Sequence, residues 1–562
     1  MNQGRWWPTD MPFTAISPRK SFKIKVWNQA RWSLCILFAA GRCCGAAIPN
    51  HGTLLRLPTE DDTGYKEEQE LFVSGLTGTS MMELSLVGTT IPAGLWVLGE
   101  TKALLQVICG DDILQPRSWV AFAIELLCVV FPGLLVTTWT PSTLLVAFMA
   151  LTSLLCSLIR RGLQQYAMLR GEPSHESFPR CGEVKEDKWR QDRDKALLGV
   201  RKDFVTNYRA TVMILTCISI LAVDFQVFPR RFAKTEVYGT GLMDLGVGAT
   251  LFASGIANAC KEARTSDGKV TWLPSPRALF VDLTSTIRSS WLLVVLGVSR
   301  FVAIKALNYQ EHVSEYGIHW NFFATLVSVR LVAVVARSVC PKQLRAPLSL
   351  AGLVYFQHLL CHDKLGDFII SSPRRTFLGK NREGILGLVG FVAIYFVAEE
   401  LGRLVMFNKF MGMEVRVQGA IHQLMLRRSQ KWYLTRLLLS GAVLWSLTLL
   451  SRSYVQDTSR RLVNLTYVLW VCAYSATMLV QLLLVDMYSS APPRSQLLAA
   501  VNRNMFTVFV ASNLITGAVN LCMRTLYASD TTAMVILSTY MVIVMSLTLF
   551  LANKGNKEKR TS

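Results

Sequence analysis

The sequence, 562 residues long, lacks the local signatures of most soluble enzymes. No Gly-rich phosphate loop stands between a strand and a helix, and no GxSxG elbow or HExxH pair occurs, which disfavours nucleotide-loop, serine-hydrolase and zinc-protease chemistry. Its thirteen cysteines form no CxxC pair. Apart from the adjacent Cys43 and Cys44 they are scattered singly, and Cys128, Cys156, Cys217 and Cys472 lie inside apolar runs, where a cysteine acts as a small hydrophobe. The cysteine pattern therefore gives metal chemistry no support. Charge is scarce, at 17% of residues, and negative charge scarcer still: 38 Asp and Glu against 59 Lys and Arg. The excess of +21 would suit nucleic acid, but no RNA- or DNA-binding module pattern is visible, and no nucleic-acid partner is expected.

What the sequence has in abundance is apolar length. It is 51% hydrophobic, and stretches long enough to cross ~30 Å of hydrocarbon as helix recur throughout. They fall at 81–107, 118–138, 141–159, 210–228, 239–258, 289–307, 318–339, 344–360, 384–401, 433–450, 462–487, 504–526 and 531–552. The expected fold is all-α, a polytopic transmembrane bundle of about thirteen spanning helices embedded in a lipid bilayer. Residues 1–65 differ in character, being basic and aromatic with one short apolar run near Leu34 that Arg42 interrupts. Lys20, Lys23, Lys25 and Arg31 resemble the charged region of a signal that would deliver the next segment to the lumen, although a spurious amino-terminal extension would look the same. The expected division is thus an extension at 1–65 and a transmembrane domain at 66–562.

The positive charge sets orientation, because Lys and Arg concentrate in cytoplasmic loops. The longest link, 160–209, is the most basic, and ten further crossings put the basic tail NKGNKEKRTS on the same, cytoplasmic, side. The link holding Glu311 and Glu315 then becomes luminal and acidic. Two luminal links break the rule: 363–384, with Arg374, Arg375, Lys380 and Arg382, and 451–461, with Arg452, Arg460 and Arg461. An anionic headgroup would account for them, as would a chance departure from a statistical rule.

Two seams between apolar runs carry candidate chemistry. In the first, Asp224 stands just inside the end of one expected span, Pro229, Arg230, Arg231, Lys234 and Glu236 fill a short link, and Asp244 stands just inside the next span. Ionisable groups at membrane depth cost at least ~2.5 kcal/mol each, so such a cluster marks a candidate site. Pro229 should end the helix containing Asp224, leaving Lys234 close enough to fold back over the carboxylate. A carboxylate and an ammonium in one interfacial pocket suit general-base work with stabilisation of a developing negative charge, and equally a structural ion pair; spacing does not separate the two. Arg230 and Arg231 add phosphate-binding capacity or serve as plain interfacial anchors. The second seam offers Glu311, His312, Glu315, His319 and Asn321 at a helix start, a pattern that suits a headgroup site. Either histidine could be a rival base, although a lone histidine more often makes a structural hydrogen bond.

Weaker signals remain. Asn504, Asn513 and Asn520 share a face near the twelfth span, where interhelical hydrogen bonding is the ordinary explanation. Arg300 and Arg330 sit within spans and invite carboxylate partners such as Glu125 or Glu399. Asn464-Leu-Thr466 matches a glycosylation sequon but abuts a span.

At these motifs the chain resembles the glucosaminyl-phosphatidylinositol inositol acyltransferases of GPI-anchor biosynthesis, called PIG-W in animals and GPI-anchored wall transfer protein in fungi. The resemblance rests on FVSGLTGTS (72–80), VDFQVFPRRFAKTEVYGTGLMDLGVG (223–248), YQEHVSEYGIHWNFF (309–323), SPRRTFLGKNREG (372–384) and SRRLVNLTYVLW (459–470), followed by the asparagine-bearing twelfth span. Leu-Thr follows Asn464 where relatives usually carry Leu-Pro. The resemblance implies a multi-pass endoplasmic reticulum enzyme, its amino terminus luminal and its carboxyl terminus cytoplasmic. It would move a long acyl chain, typically palmitoyl, from acyl-CoA as co-substrate onto the inositol 2-hydroxyl of glucosaminyl-phosphatidylinositol, with no other cofactor. It further implies catalytic roles for Asp224 and Lys234, and the expectation that Arg230, Arg231, Arg374 and Arg375 hold phosphate of the lipid or of CoA, with Asp244, Glu311, His312, His319 and Asn321 contacting substrate. The competing class is a glycolipid transporter or flippase, which predicts inverted repeats with paired broken helices; no second copy of the Asp224 seam occurs.

Overall fold

Backbone groups have no water to bond in hydrocarbon, so a chain this apolar must satisfy them within helices. The computed structural model describes residues 60–109, 118–169, 203–265, 276–306, 315–406, 420–490 and 495–561, and among these it is all-α, with one isolated bridge between Gly78 and Thr240 in place of any strand. A surface helix, α1 (Glu60–Phe72), precedes α2 (Met81–Cys109), a bent α3 (Trp119–Thr138) with a π-helical turn at Leu126–Val130, and α4 (Ser142–Leu169). Then come α5 (Asp203–Ala222), α6 (Leu245–Thr265), α7 (Pro276–Ala306), α8 (Phe322–Val339) and α9 (Arg345–His362). Three short helices, α10 (Leu365–Ser371), α11 (Phe377–Lys380) and α12 (Arg382–Leu386), lead into α13 (Leu388–Met406). The chain closes with α14 (Ala420–Tyr454), α15 (Leu465–Tyr488), α16 (Gln496–Arg503), α17 (Met505–Cys522) and α18 (Asp530–Thr561).

Eleven of these segments are long and apolar enough to cross a membrane, against about thirteen expected. The other two expected spans are helices in the expected places, α6 and α9, but their composition is too polar to qualify. Ser254, Asn258, Lys261 and Glu262 interrupt α6, while Arg345, Gln357, His358 and His362 interrupt α9. Both pack against α13 instead of presenting a uniformly apolar face. At the centre of the bundle stand α5 and α15, each with 78% of its apolar window buried, whereas α7 buries 6% and packs chiefly on α8. Buried hydroxyls stitch the centre: Tyr208 donates to Ser475 at 2.9 Å, Tyr467 to the Asp244 carbonyl at 2.8 Å and Tyr540 to the Cys217 carbonyl at 2.9 Å.

Buried carboxylates are neutralised locally. Glu125 pairs with Lys102 at 3.2 Å and accepts the free N–H groups of Gln496 and Leu497 at the start of α16. Glu399, fully buried on α13, takes Arg337 at 2.9 Å, Arg345 at 3.2 Å and Arg403 at 3.5 Å, with Asn258 donating at 3.0 Å. Neither carboxylate pairs with Arg300 or Arg330, the partners anticipated from sequence, because the helices that face them carry other cations.

α6 approaches α13 closely. A β-carbon at Gly255 would lie 2.3 Å from the Tyr395 carbonyl oxygen, so only glycine permits that separation. Gly255→Val is expected to force the pair apart at a cost of about 1–3 kcal/mol, read as a lower thermal midpoint in detergent. An unchanged midpoint would contradict this packing.

Candidate active site

α5 stops at Ala222, well short of Pro229, so Asp224 lies just past the helix end and not inside it as the proline had suggested. Arg230 explains the early stop. Its guanidinium donates to the carbonyls of Val223 at 3.0 Å, Phe225 at 3.1 Å and Phe228 at 2.8 Å, and lies 3.8 Å from the Phe72 ring centre. Those carbonyls are drawn into a turn around the cation, and fully buried Phe225 and Phe228 anchor it from below. Asp224 is thereby turned toward α17, where Asn520 Nδ2 donates to its Oδ2 at 2.8 Å. Burial pushes the Asp224 carboxyl up to about 6, while the Asn520 hydrogen bond, Arg230 and Lys234 hold it down.

Lys234 lies within electrostatic reach of Asp224, yet its direct partner is Glu315, whose Oε2 accepts from Nζ at 2.8 Å. Glu315 is also 3.5 Å from Arg460 Nη1 through Oε1, and Arg460 Nε stands 3.1 Å from Asp244 Oδ1. Asp244, fully buried, accepts from the Thr235 hydroxyl at 2.9 Å, the Thr235 N–H at 3.2 Å and the Gly241 N–H at 2.9 Å. Burial alone would raise the Glu315 carboxyl, but Lys234, Arg460 and Arg300 outweigh it and bring it down to about 2. The link is pinned to its neighbours by backbone as well. Thr79 donates to the Thr240 carbonyl at 2.7 Å, Glu236 to Leu76 at 3.0 Å and Gly239 to Thr458 at 2.8 Å. Gly78, at φ +83°, lets Thr240 approach where a β-carbon would collide at 2.2 Å.

The anomalous basic links meet this seam. Buried Glu383 is held by Arg374, with one contact at 2.9 Å and a second shorter one, by Arg461 at 3.4 Å and by Arg382 at 3.7 Å. Arg382 also donates to the Ser372 carbonyl, and Arg461 approaches Glu236 at 4.0 Å. Much of this positive charge therefore faces carboxylates: Glu383 on the same link as Arg374 and Arg382, and Asp244, Glu315 and Glu236 on other links. Arg231 pairs with Glu83 at 3.1 Å and remains half exposed; Arg375 is exposed, and its side chain has no polar partner among the described residues. The His319 ring stacks near Phe377, and the His319 backbone N–H donates to Asn381 Oδ1 at 2.8 Å. Asn321 caps α8, accepting from the Ala324 N–H at 3.0 Å and donating to the Gly297 carbonyl at 3.0 Å. Glu311 and His312 lie outside the described residues, as do residues 1–59 and Cys43 and Cys44. Asn464 is fully buried, with Nδ2 donating to Gln456 and to the Asp457 carbonyl, so its amide is closed to glycosylation in the folded protein.

Glu315, Arg460, Glu383 and Asn520 are neighbours of the site whose partners the sequence does not name: it groups Glu315 with a headgroup seam, Arg460 with an anomalous basic link, Asn520 with interhelical hydrogen bonding, and Glu383 with nothing. A signal existed for three of them: an acidic link and two anomalous basic links assigned to one side invite mutual pairing. For Asn520 the asparagine face signalled a hydrogen bond to another segment but not its partner, which lies 296 residues away. Among the described residues no group of three or more His, Cys, Asp or Glu side chains could hold a metal ion. What converges here is a partly buried carboxylate with a near-neutral titration, an ammonium within its field, and exposed guanidinium groups nearby.

A profile of the GWT1 family matches residues 65–551. GPI-anchored wall transfer protein 1 of Gibberella zeae is 32% identical over 507 residues, covering 85% of this chain and 96% of the relative. The protein of the same name from Eremothecium gossypii is 34% identical over 511 residues, covering 86% and 97%. That from Schizosaccharomyces pombe is 33% identical over 502 residues, covering 87% and 98%.

Removing Glu383 would leave three guanidinium groups facing one another with only Glu236, 4.0 Å from Arg461, as counter-charge. Glu383→Ala is expected to cost about 3–5 kcal/mol and to lower the thermal midpoint sharply, whereas Arg375→Ala should leave it within about 0.5 kcal/mol. Equal midpoints for the two variants would refute the pairing.

Proposed function

The chain belongs to the GWT1 family, and from that membership we propose that it acts in GPI-anchor biosynthesis as an O-acyltransferase, moving a long acyl chain, typically palmitoyl, from acyl-CoA to the inositol 2-hydroxyl of glucosaminyl-phosphatidylinositol. The observation that carries the reading is Asp224 itself: a carboxylate with its titration raised to about 6, oriented by a neutral donor, with the Lys234 ammonium in its field. Such a group is ionised at neutral pH yet basic enough to take a proton in a transition state.

In this reading Asp224 accepts the proton of the inositol hydroxyl as its oxygen attacks the thioester carbonyl carbon. The carbonyl electrons move onto oxygen, and the Lys234 ammonium stabilises the oxyanion. Collapse breaks the carbon–sulfur bond, and protonated Asp224 returns its proton to the departing CoA thiolate. The products are an inositol ester and free CoA, with Asp224 again ionised. Acyl-CoA is a co-substrate; no cofactor enters the step. Arg230, committed to three backbone carbonyls, shapes the turn, which leaves half-exposed Arg231 and exposed Arg375 with most room for substrate phosphate, and Arg374 behind them on Glu383. Asp244, fully buried, and Asn321 hold backbone in place. The domain we assign to this activity is 66–562, in the endoplasmic reticulum membrane, with the amino terminus luminal and the carboxyl terminus cytoplasmic.

Acyl transfer measured in membranes tests the roles. Asp224→Asn and Lys234→Ala variants that fold should each lose about a hundredfold or more in turnover. Near-normal turnover in both would sink the assignment and promote His312 or His319. The pH profile has a defined sign: the base works ionised and titrates at about 6, so kcat/KM should rise through pH 6 to a plateau, and a profile flat down to pH 5 would contradict Asp224 as base. Acyl-CoA-dependent appearance of phospholipase-resistant inositol lipid distinguishes this reading from a transporter.

A further inference from the structure

Lys234 ends in an ammonium on a four-carbon stem, and its side chain is 37% exposed, more than any other member of its ion-pair chain. Such a stem, left alone, samples many rotamers, and an oxyanion-stabilising charge must be fixed before the charge develops. The contacts around it close into a ring. Nζ is held by Glu315 Oε2 at 2.8 Å; the second oxygen of Glu315 faces Arg460 Nη1 at 3.5 Å; Arg460 Nε stands 3.1 Å from Asp244 Oδ1. Asp244 in turn accepts from both the N–H and the hydroxyl of Thr235, the residue next to Lys234 in the chain. The ammonium and its own backbone are thus tied to the same circuit.

Two features set this ring apart from an ordinary structural pair. Its charges balance, two cations against two carboxylates, so Asp224 stays outside it with the neutral Asn520 as its direct donor. Burial is graded along it: the Arg460 and Asp244 side chains are 6% and 0% exposed, Glu315 13% and Lys234 37%. The rigid end is inside and the reactive end is open. One ammonium hydrogen is committed to Glu315, and an ammonium has two more to offer.

We propose that Glu315 is a positioning residue for Lys234, holding the ammonium where the oxyanion forms while Arg460 and Asp244 lock Glu315 in turn. This rests on the acyltransferase reading above. The carboxylate touches no reacting atom, so its effect should appear in turnover and not in substrate affinity, and should vanish when Lys234 is absent.

The test is a double-mutant cycle in membranes, with folding monitored by fluorescence-detected size exclusion. Glu315→Gln should lower kcat about 10- to 100-fold with KM within about threefold of wild type. Glu315→Asp, which keeps the charge and withdraws it slightly, should recover part of the loss. On a Lys234→Ala background, Glu315→Gln should cost no further turnover. If Glu315→Gln does not fold, Glu315→Asp is read in the same cycle: a loss that disappears without Lys234 supports the proposal. A Glu315 effect of equal size with and without Lys234, or wild-type kcat in folded Glu315→Gln, overturns it. Inactive Lys234→Ala beside fully active Glu315→Gln would sink the positioning role alone. Near-normal Lys234→Ala would instead remove the underlying reading, and the proposal with it.

Discussion

Arg460 is the residue through which the polar face of this bundle is held together. It lies almost wholly buried between Asp244 and Glu315, joining the link before α6, the segment before α8 and the link before α15. A guanidinium at that depth is tolerable only if carboxylates meet it, and those carboxylates are tolerable only because further donors meet them. The same rule organises Glu383 among three arginines and Glu399 among three others. Each carboxylate is a node where several helix ends must arrive together, so the charge pattern constrains tertiary structure more tightly than interchangeable apolar contacts can in lipid.

Against that background the arrangement at Asp224 is distinctive. Nearly every other buried acid on this face has a direct cationic partner, whereas the direct donor to Asp224 is an amide. Its nearby cations are engaged elsewhere: Arg230 with three carbonyls, Lys234 with Glu315. Burial raises the Asp224 titration, and the Asn520 hydrogen bond, Arg230 and Lys234 offset that only in part. A carboxylate locked against an arginine would be a weak base. One left on an asparagine, in the field of an ammonium, retains the basicity that acyl transfer to a hydroxyl requires.

Much of the architecture was legible in the residues. Apolar runs located eleven spans and two more polar helices, because hydrocarbon allows little besides helix for a run of that length, but several ends moved: 210–228 is Asp203–Ala222, 239–258 is Leu245–Thr265 and 289–307 is Pro276–Ala306. Counting crossings from the basic link 160–209 assigned 229–238, 308–317, 363–384 and 451–461 to one side, and these links, with the residues at their ends, touch: Lys234 meets Glu315, His319 meets Asn381, Gly239 meets Thr458. Local rules misjudged two features beside the site: Asp244, expected just inside the next span, lies in the link before α6, and Asp224 lies past the end of α5. Pro229 suggested that α5 would run on past Asp224, but the helix ends earlier because Arg230 gathers the carbonyls of the turn, a contact that proline statistics do not contain. Of the arginines in 363–384 and 451–461, Arg460 and Arg461 meet carboxylates on other links, whereas Arg374 and Arg382 share Glu383 within their own link.

By itself the sequence determined the class of molecule, the helix count to within two, and the motifs that carry the family resemblance, since these depend on composition and short spacing. Tertiary structure decided which charge faces which. Lys234 is bound to Glu315 and Asp224 to Asn520, pairings 81 and 296 residues apart that no periodicity encodes. In low dielectric the energy of a charge is set by the few groups within some 4 Å of it, and those groups are brought there by helices from distant parts of the chain.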